Sequence, residues 1–225
     1  MNLKCKIINK LKSRSKGKKT LEQIEKSILS TIYVSEITGK NPIEKILENK
    51  ISSEEQILKK MDKLIEENLI NQDKKTLTEI GRESLRVVLA GGVFDIIHPG
   101  HISTLNAAKA LGDVLVVVVA TDNTAVKMKK RRPIHSQEQR QELVNSLAVV
   151  DLCLIGQEND IFKTVNLVKP QIIALGYDQV HQEQFITEGC KKIQLDAKVA
   201  RLQSPIPESS SSKIEKEYGE SIHGI

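Results

Sequence analysis

The run Asp113-Val114-Leu115-Val116-Val117-Val118-Val119 has no polar position after its first residue and is nearly all β-branched. A strand with one wet face alternates apolar and polar side chains. A strand without that alternation must be covered on both faces, as in the interior of a parallel sheet. Shorter runs of the same kind stand at Arg86-Val87-Val88-Leu89-Ala90, Leu152-Cys153-Leu154-Ile155, Ile172-Ile173-Ala174-Leu175 and, less clearly, Lys198-Val199-Ala200-Arg201-Leu202. Helical spacing fills residues 102–111, 136–147 and 160–168 between them. Strand and helix in alternation predict an α/β domain, a doubly wound parallel sheet with right-handed crossovers. In such sheets ligands bind beyond the carboxyl ends of the strands, where the winding direction reverses.

The segment Gly91-Gly92-Val93-Phe94-Asp95-Ile96-Ile97-His98-Pro99-Gly100-His101 lies between the first strand and the first helix. The two glycines are expected to let the backbone approach a ligand where a Cβ would collide. His98 and His101, three apart, should share one side of the first helical turn, where unpaired N–H groups and the positive end of the helix favour an anion. Asp95 reads as a residue that holds the turn rather than as a metal ligand. Thr121-Asp122-Asn123 after the second strand and Gly176-Tyr177-Asp178-Gln179 after the fourth should meet this turn at the same edge.

Residues 1–19 form a basic arm. Lys4, Lys6, Lys10, Lys12, Arg14, Lys16, Lys18 and Lys19 occur with no acid among them, so the whole chain's excess of +5 belongs to the arm and the remainder is mildly acidic. Such an arm suits nucleic acid or anionic lipid, or simply stays solvated. Residues 20–85 read as a separate small domain. Thr20-Leu21-Glu22-Gln23 and Ser53-Glu54-Glu55-Gln56 are capping boxes, and Asn41-Pro42 opens a helix between them. A hairpin should follow, with Leu69-Ile70 and Thr76-Leu77-Thr78 flanking a polar turn. Three helices and a hairpin describe a small winged helix-turn-helix domain. Its third helix carries Glu54, Glu55, Asp62, Glu66 and Glu67 against Lys59, Lys60 and Lys63, a poor charge balance for gripping duplex phosphates. Docking or dimerisation suits it better, and a homo-oligomer is expected.

No window holds 18 uninterrupted apolar residues, so no membrane span is predicted. Cys5, Cys153 and Cys190 form no C-x-x-C pair, which indicates neither a zinc site nor a disulfide framework and fits a reducing cytoplasm.

Gly92-Val93-Phe94-Asp95 followed by His98-Pro99-Gly100-His101 resembles the G-x-F-D-x-x-H-x-G-H signature of the cytidylyltransferase-like nucleotidyltransferase superfamily. The resemblance extends over about residues 86–220, hence a nucleotidyltransferase domain at residues 86–225 with a Rossmann-like fold. Ser210-Ser211-Ser212-Lys213-Ile214 is similar to the family's serine-rich element that meets the triphosphate. Within the superfamily, Gly112-Asp113, Lys129-Lys130-Arg131-Arg132-Pro133-Ile134, Glu138-Gln139-Arg140 and Leu175-Gly176-Tyr177-Asp178-Gln179 look most like archaeal-type FAD synthases. Two positions depart from the pattern: Val93 replaces a usual threonine, and Pro205 falls near a usual arginine.

The resemblance implies nucleotidyl transfer from a nucleoside triphosphate to a phosphate-bearing acceptor, with pyrophosphate released. His98, His101 and Lys129 would be catalytic. Gly92, Val93, Phe94, Pro99, Gly100, Asp178, Ser211 and Ser212 would bind the nucleotide. Lys127, Lys130 and Arg132 would close over the pyrophosphate from a mobile loop. Mg²⁺ would come in mainly on the nucleotide phosphates, with no protein metal site. ATP and FMN are the favoured substrates. A CTP-dependent enzyme acting on a phospho-alcohol such as glycerol 3-phosphate stays open, as does a nucleotide-sensing regulator that reads DNA.

Overall fold

The computed structural model describes residues 21–48, 52–158, 160–177 and 179–203, together with positions 214 and 217. The basic arm, Asp178, Pro205 and the serine element with Ser211 and Ser212 lie outside the described residues.

Three helices open the described chain: α1 (Gln23–Thr38), α2 (Pro42–Glu48) and α3 (Glu54–Glu66). Ser53 caps α3 as its spacing predicts, the hydroxyl accepting from the Gln56 amide. The first capping box lies two residues later than expected. Glu22 stands at the cap and its own amide donates to the Glu25 carboxylate, so α1 runs from Gln23 to Thr38. The expected hairpin contracts to one antiparallel bridge between Ile70 and Leu77. Asp73 accepts from the Lys75 and Thr76 amides and winds the intervening residues into a tight turn, so no ladder extends beyond that bridge. A short helix, α4 (Glu79–Ser84), capped by Thr78, then leads to the sheet.

The sheet comprises β1 (Val87–Gly92), β2 (Val114–Val119), β3 (Leu152–Ile155), β4 (Ile172–Leu175) and β5 (Lys198–Arg201). All its pairings are parallel, in the order β3-β2-β1-β4-β5, so the winding reverses between β1 and β4. Five helices accompany it: α5 (Pro99–Lys109), α6 (Asp122–Lys129), α7 (Gln137–Asn145), α8 (Ile161–Val168) and α9 (Glu183–Lys192). Each strand divides its side chains by parity. Val88, Ala90, Leu115 and Val117 pack with Leu105 and Ala108 of α5 and Val144 of α7. Val87, Leu89, Val114 and Val116 join Val165 and Val168 of α8 and Ile186 of α9 on the other face. The apolar run of β2 is thus covered twice, as its lack of alternation requires.

Three further details bear on what the sequence led one to expect. Gly91 and Gly92 end β1, with register partners Val118 and Val119, and the turn begins at Val93. Lys127 and Lys129, expected on a mobile loop, belong instead to α6, because Thr121 caps that helix by accepting from the Thr124 amide. Lys127 and Lys129 therefore sit on the last helical turn, while Lys130 caps it in the left-handed conformation with φ 61°. The helix α9 had no counterpart in the sequence reading.

The N-terminal helices press on the amino edge of the sheet, away from the strand ends that carry the glycines. Lys26 pairs with Asp113 at 2.7 Å, the Tyr33 hydroxyl donates to the Val168 carbonyl at 2.7 Å, and Arg82 donates to the Lys169 carbonyl. Ile28, Leu29 and Ile32 belong to the same apolar cluster as the sheet residues Val87 and Val114. Ile32→Ala should cost roughly 2–5 kcal/mol and lower the melting temperature in one cooperative transition. Calorimetry that shows two separate transitions, with only one shifted, would contradict the shared core.

Candidate functional site

The site grows from the six residues between β1 and α5. Val93 is buried, and Phe94 takes a left-handed conformation, φ 53°, that a bulky side chain adopts only under compulsion. Two contacts supply it. The Val93 carbonyl accepts from Arg140 Nη1 at 2.7 Å, and the Asp95 carboxylate accepts from Arg131 Nη1 and from the Ile134 amide, each at 2.7 Å. The Phe94 ring lies beneath Gly92, where an added Cβ would come within 3.0 Å of it. Gly92 thus packs closely on Phe94, and a side chain there would press on the ring. A Cβ on Gly91 would meet nothing closer than 3.6 Å.

His98 caps α5, Pro99 fills its first turn, and Gly100 is buried. The chain reverses tightly there, the His98 carbonyl accepting from the His101 amide at 2.9 Å. The two imidazoles end against each other, centroids 3.9 Å apart and planes tilted by 31°, and the Phe94 ring stands 5.1 Å from His101. Among the described residues, each ring retains a buried Nδ1 with no hydrogen-bond partner. Two unsatisfied ring nitrogens at a helix amino end are costly unless something polar meets them, and an anion is what that end attracts.

Charge supports the same view. Burial, then the neighbouring His98 and Lys129, hold His101 down to about 4, against a smaller opposing pull from its hydrogen bond with the Ile96 backbone. Burial and Lys129 also lower His98. Lys129 therefore reaches both rings electrostatically from the end of α6. Both rings are neutral near pH 7 without a ligand, each offering one N–H.

Lys127, Lys130 and Arg132 are exposed around the same end of α6 and the strand of chain that follows it. What fixes that region is Arg140, a residue whose part was not legible in the sequence. It is fully buried and spans three segments, donating to the His135 carbonyl at 3.1 Å, the Val93 carbonyl, and the Asp122 carboxylate at 2.7 Å. The histidine turn, the start of α6 and the basic segment are thereby tied together. Near the fourth strand, Gln179 accepts from the Gly176 amide at 2.7 Å and donates toward the Gly91 carbonyl at 3.4 Å, closing the switch point between β1 and β4.

Beside the histidines, not over them, a cavity of about 460 Å³ opens at the carboxyl edge. Gly91 and Gly92 line it, along with residues of α6, α8 and α9. Among the described residues no cluster of three histidine, cysteine or carboxylate side chains is arranged to hold a metal. Nor is any described helix long and apolar enough to cross a membrane.

A family model described as cytidylyltransferase-like matches residues 89–217. A protein of Picrophilus torridus named FAD synthase is 46% identical over 125 residues, covering 56% of this chain and 89% of the relative. An Aciduliprofundum boonei protein of the same name is 49% identical over 115 residues, covering 51% and 76%. Among solved structures, a Thermoplasma volcanium protein titled a lipopolysaccharide core biosynthesis protein is 44% identical, with a TM-score of 0.51 over 53% of this chain and 98% of that one.

Two outcomes test the geometry. Arg140→Met should destabilise the fold by roughly 1–3 kcal/mol for the buried Val93 carbonyl alone, read by chemical denaturation. An unchanged midpoint would mean that the clasp carries no weight. Because His101 binds its proton less readily in the native than in the unfolded chain, stability should fall as pH drops from about 6.5 to about 4, and this component should be absent from His101→Asn. Equal pH profiles for both proteins would refute the burial of that ring.

Proposed function

Because the chain belongs to the cytidylyltransferase-like family, we propose that it is an FMN adenylyltransferase, transferring AMP from ATP to FMN with release of pyrophosphate. The observation that carries the reaction class is the stacked pair His98 and His101 at the amino end of α5, each with an unpartnered Nδ1. The acceptor follows from relatives named FAD synthase, which share 43% to 49% identity with this chain.

A phosphate oxygen of FMN attacks the α-phosphorus of ATP, the new P–O bond forming as the bond to the pyrophosphate oxygen breaks. The attacking phosphate needs no general base, since a phosphomonoester is largely dianionic at neutral pH, its second pKa being about 6. The protein's task is to position the reactants and to meet charge as it develops. His98 and His101 donate to the phosphates at the positive amino end of α5. Lys129 adds positive charge from the end of α6, and Lys127, Lys130 and Arg132 screen the departing pyrophosphate. Val93, buried with its carbonyl bound to Arg140, shapes the turn instead of donating a side-chain hydrogen bond. Gly92, Phe94, Pro99 and Gly100 shape it too, while Asp178, Ser211 and Ser212 serve the nucleotide from outside the described residues.

Magnesium would come in on the ATP phosphates and would supply neutralisation of part of their charge. Asp95, the carboxylate nearest in sequence, is committed to Arg131 and the Ile134 amide and is not a ligand for it. The three cysteines suit work in a reducing cytoplasm.

Incubation with ATP, FMN and Mg²⁺ should yield FAD and pyrophosphate. His98→Ala or His101→Ala should lower turnover by roughly 100-fold or more, about 3 kcal/mol of barrier, while circular dichroism stays native. Product formed only from CTP and a phospho-alcohol would overturn the assignment of substrates, and full turnover in either variant would overturn that of the site.

A further inference from the structure

A second cavity lies at the far end of α5 from the histidines, where the N-terminal helices meet the sheet domain. We propose that it binds a small phosphorylated, hydroxyl-bearing molecule of the class of sugar phosphates, at a site separate from that of nucleotidyl transfer.

Its place comes first. The volume is about 450 Å³, within the usual range of small-molecule sites. Helices α1 and α2 form one side, and the end of α5 with Gly112, Asp113 and Asp151 forms the other. The 11 residues of α5 set roughly 16 Å of helix between this end and His98, so a ligand here is not a reactant. The lining residues of α1 and α2 also precede residue 89, where the family match begins, so the chemistry shared by that family does not account for the cavity.

The wall that α1 contributes is the reverse of what bracing requires. Ile28, Leu29 and Ile32 fill the core from one side of the helix. Gln23, Lys26, Ser27, Ser30 and Thr31 recur at helical spacing on the side that lines the cavity. A helix that only braces a sheet gains most from an apolar stripe at the joint, and polar groups half-buried there give up water without return. Thr31 donates its hydroxyl to the Ser27 carbonyl, whereas the half-buried Ser27 and Ser30 hydroxyls bond to none of the described residues.

Charge then selects the ligand. Lys26 of α1, Lys45 of α2 and Lys109 of α5 bring positive charge from three elements. The two acids among them are already committed. Asp113 accepts from Lys26 on one oxygen and from the Arg86 amide on the other, while Asp151 accepts from Lys109 and the Leu115 amide. An ammonium carries three N–H donors. Lys26 uses one on Asp113, Lys45 one on the exposed Glu48, and Lys109 two, on Asp151 and the Asp113 carbonyl. The donors left over suit phosphate oxygens. A bare phosphate would occupy a small part of the volume. Sugar hydroxyls would exchange hydrogen bonds with Ser27, Ser30 and Gln23, which all donate and accept, whereas an apolar body would leave them unpaired.

Calorimetric titration with ribose 5-phosphate tests the site without reference to turnover. The wild type should bind the probe, and its melting temperature should rise with probe concentration. Lys45→Glu reverses an exposed charge, and Ser30→Leu fills the cavity without removing a hydrogen bond. Each should weaken binding about tenfold or more while circular dichroism stays native. His98→Ala should bind as the wild type does. No binding by the wild type, or unchanged affinity in both cavity variants, would overturn the proposal. Binding lost in His98→Ala and kept in Lys45→Glu would put the probe in the catalytic site and overturn it as well. Inorganic phosphate bound as tightly as ribose 5-phosphate would leave an ion site only and overturn the assignment of an organic ligand.

Discussion

The chain has six residues in which to turn from the end of β1 into α5 while leaving two imidazoles stacked at the start of that helix. This constraint organises the rest. The turn needs a left-handed Phe94, and a conformation of that kind costs about 1–3 kcal/mol unless its surroundings compel it. Arg140 grips the backbone ahead of Phe94, and Asp95 binds the segment beyond α6. The phenyl ring fills the space under Gly92. The same contacts that hold the turn also fix the end of α6, so Lys129 faces the histidines as a consequence of turn stability.

Much of this was legible in the residues. An apolar run without alternation implies a strand covered on both sides, and β2 is one. The spacing of glycine, phenylalanine, aspartate and two histidines located the turn, because backbone chemistry at a strand-to-helix junction is local. The failures were non-local or masked by charge. The helix α6 ends in Lys-Met-Lys-Lys and lacks a broad apolar stripe, so its lysines read as a loop. Its only clear signal was Thr121 three residues ahead of Thr124. Arg140 lies on α7 among polar neighbours, and nothing in its local sequence tells that its guanidinium is buried against a carbonyl 47 residues away. The packing of Gly92 on Phe94 was hidden for the same reason, since the ring that would crowd a Cβ there is visible only in three dimensions.

Function and scaffold occupy opposite edges of the sheet. The N-terminal helices bind the amino edge through Lys26, Tyr33 and Arg82, where they extend the core without entering the site. The carboxyl edge is left to the histidine turn, the basic end of α6 and the cavity. With that division the helical segment extends the core and leaves the strand ends open. The site itself is a set of donors rather than of acids and bases. That suits a reaction whose nucleophile is already an anion.

The account stands or falls on where the polyphosphate lies. A crystal structure with a non-hydrolysable ATP analogue and Mg²⁺ should place phosphate oxygens within hydrogen-bonding distance of both His98 and His101 and near the first amides of α5. Polyphosphate bound elsewhere, with both Nδ1 atoms still unbonded and the rings stacked as before, would contradict it.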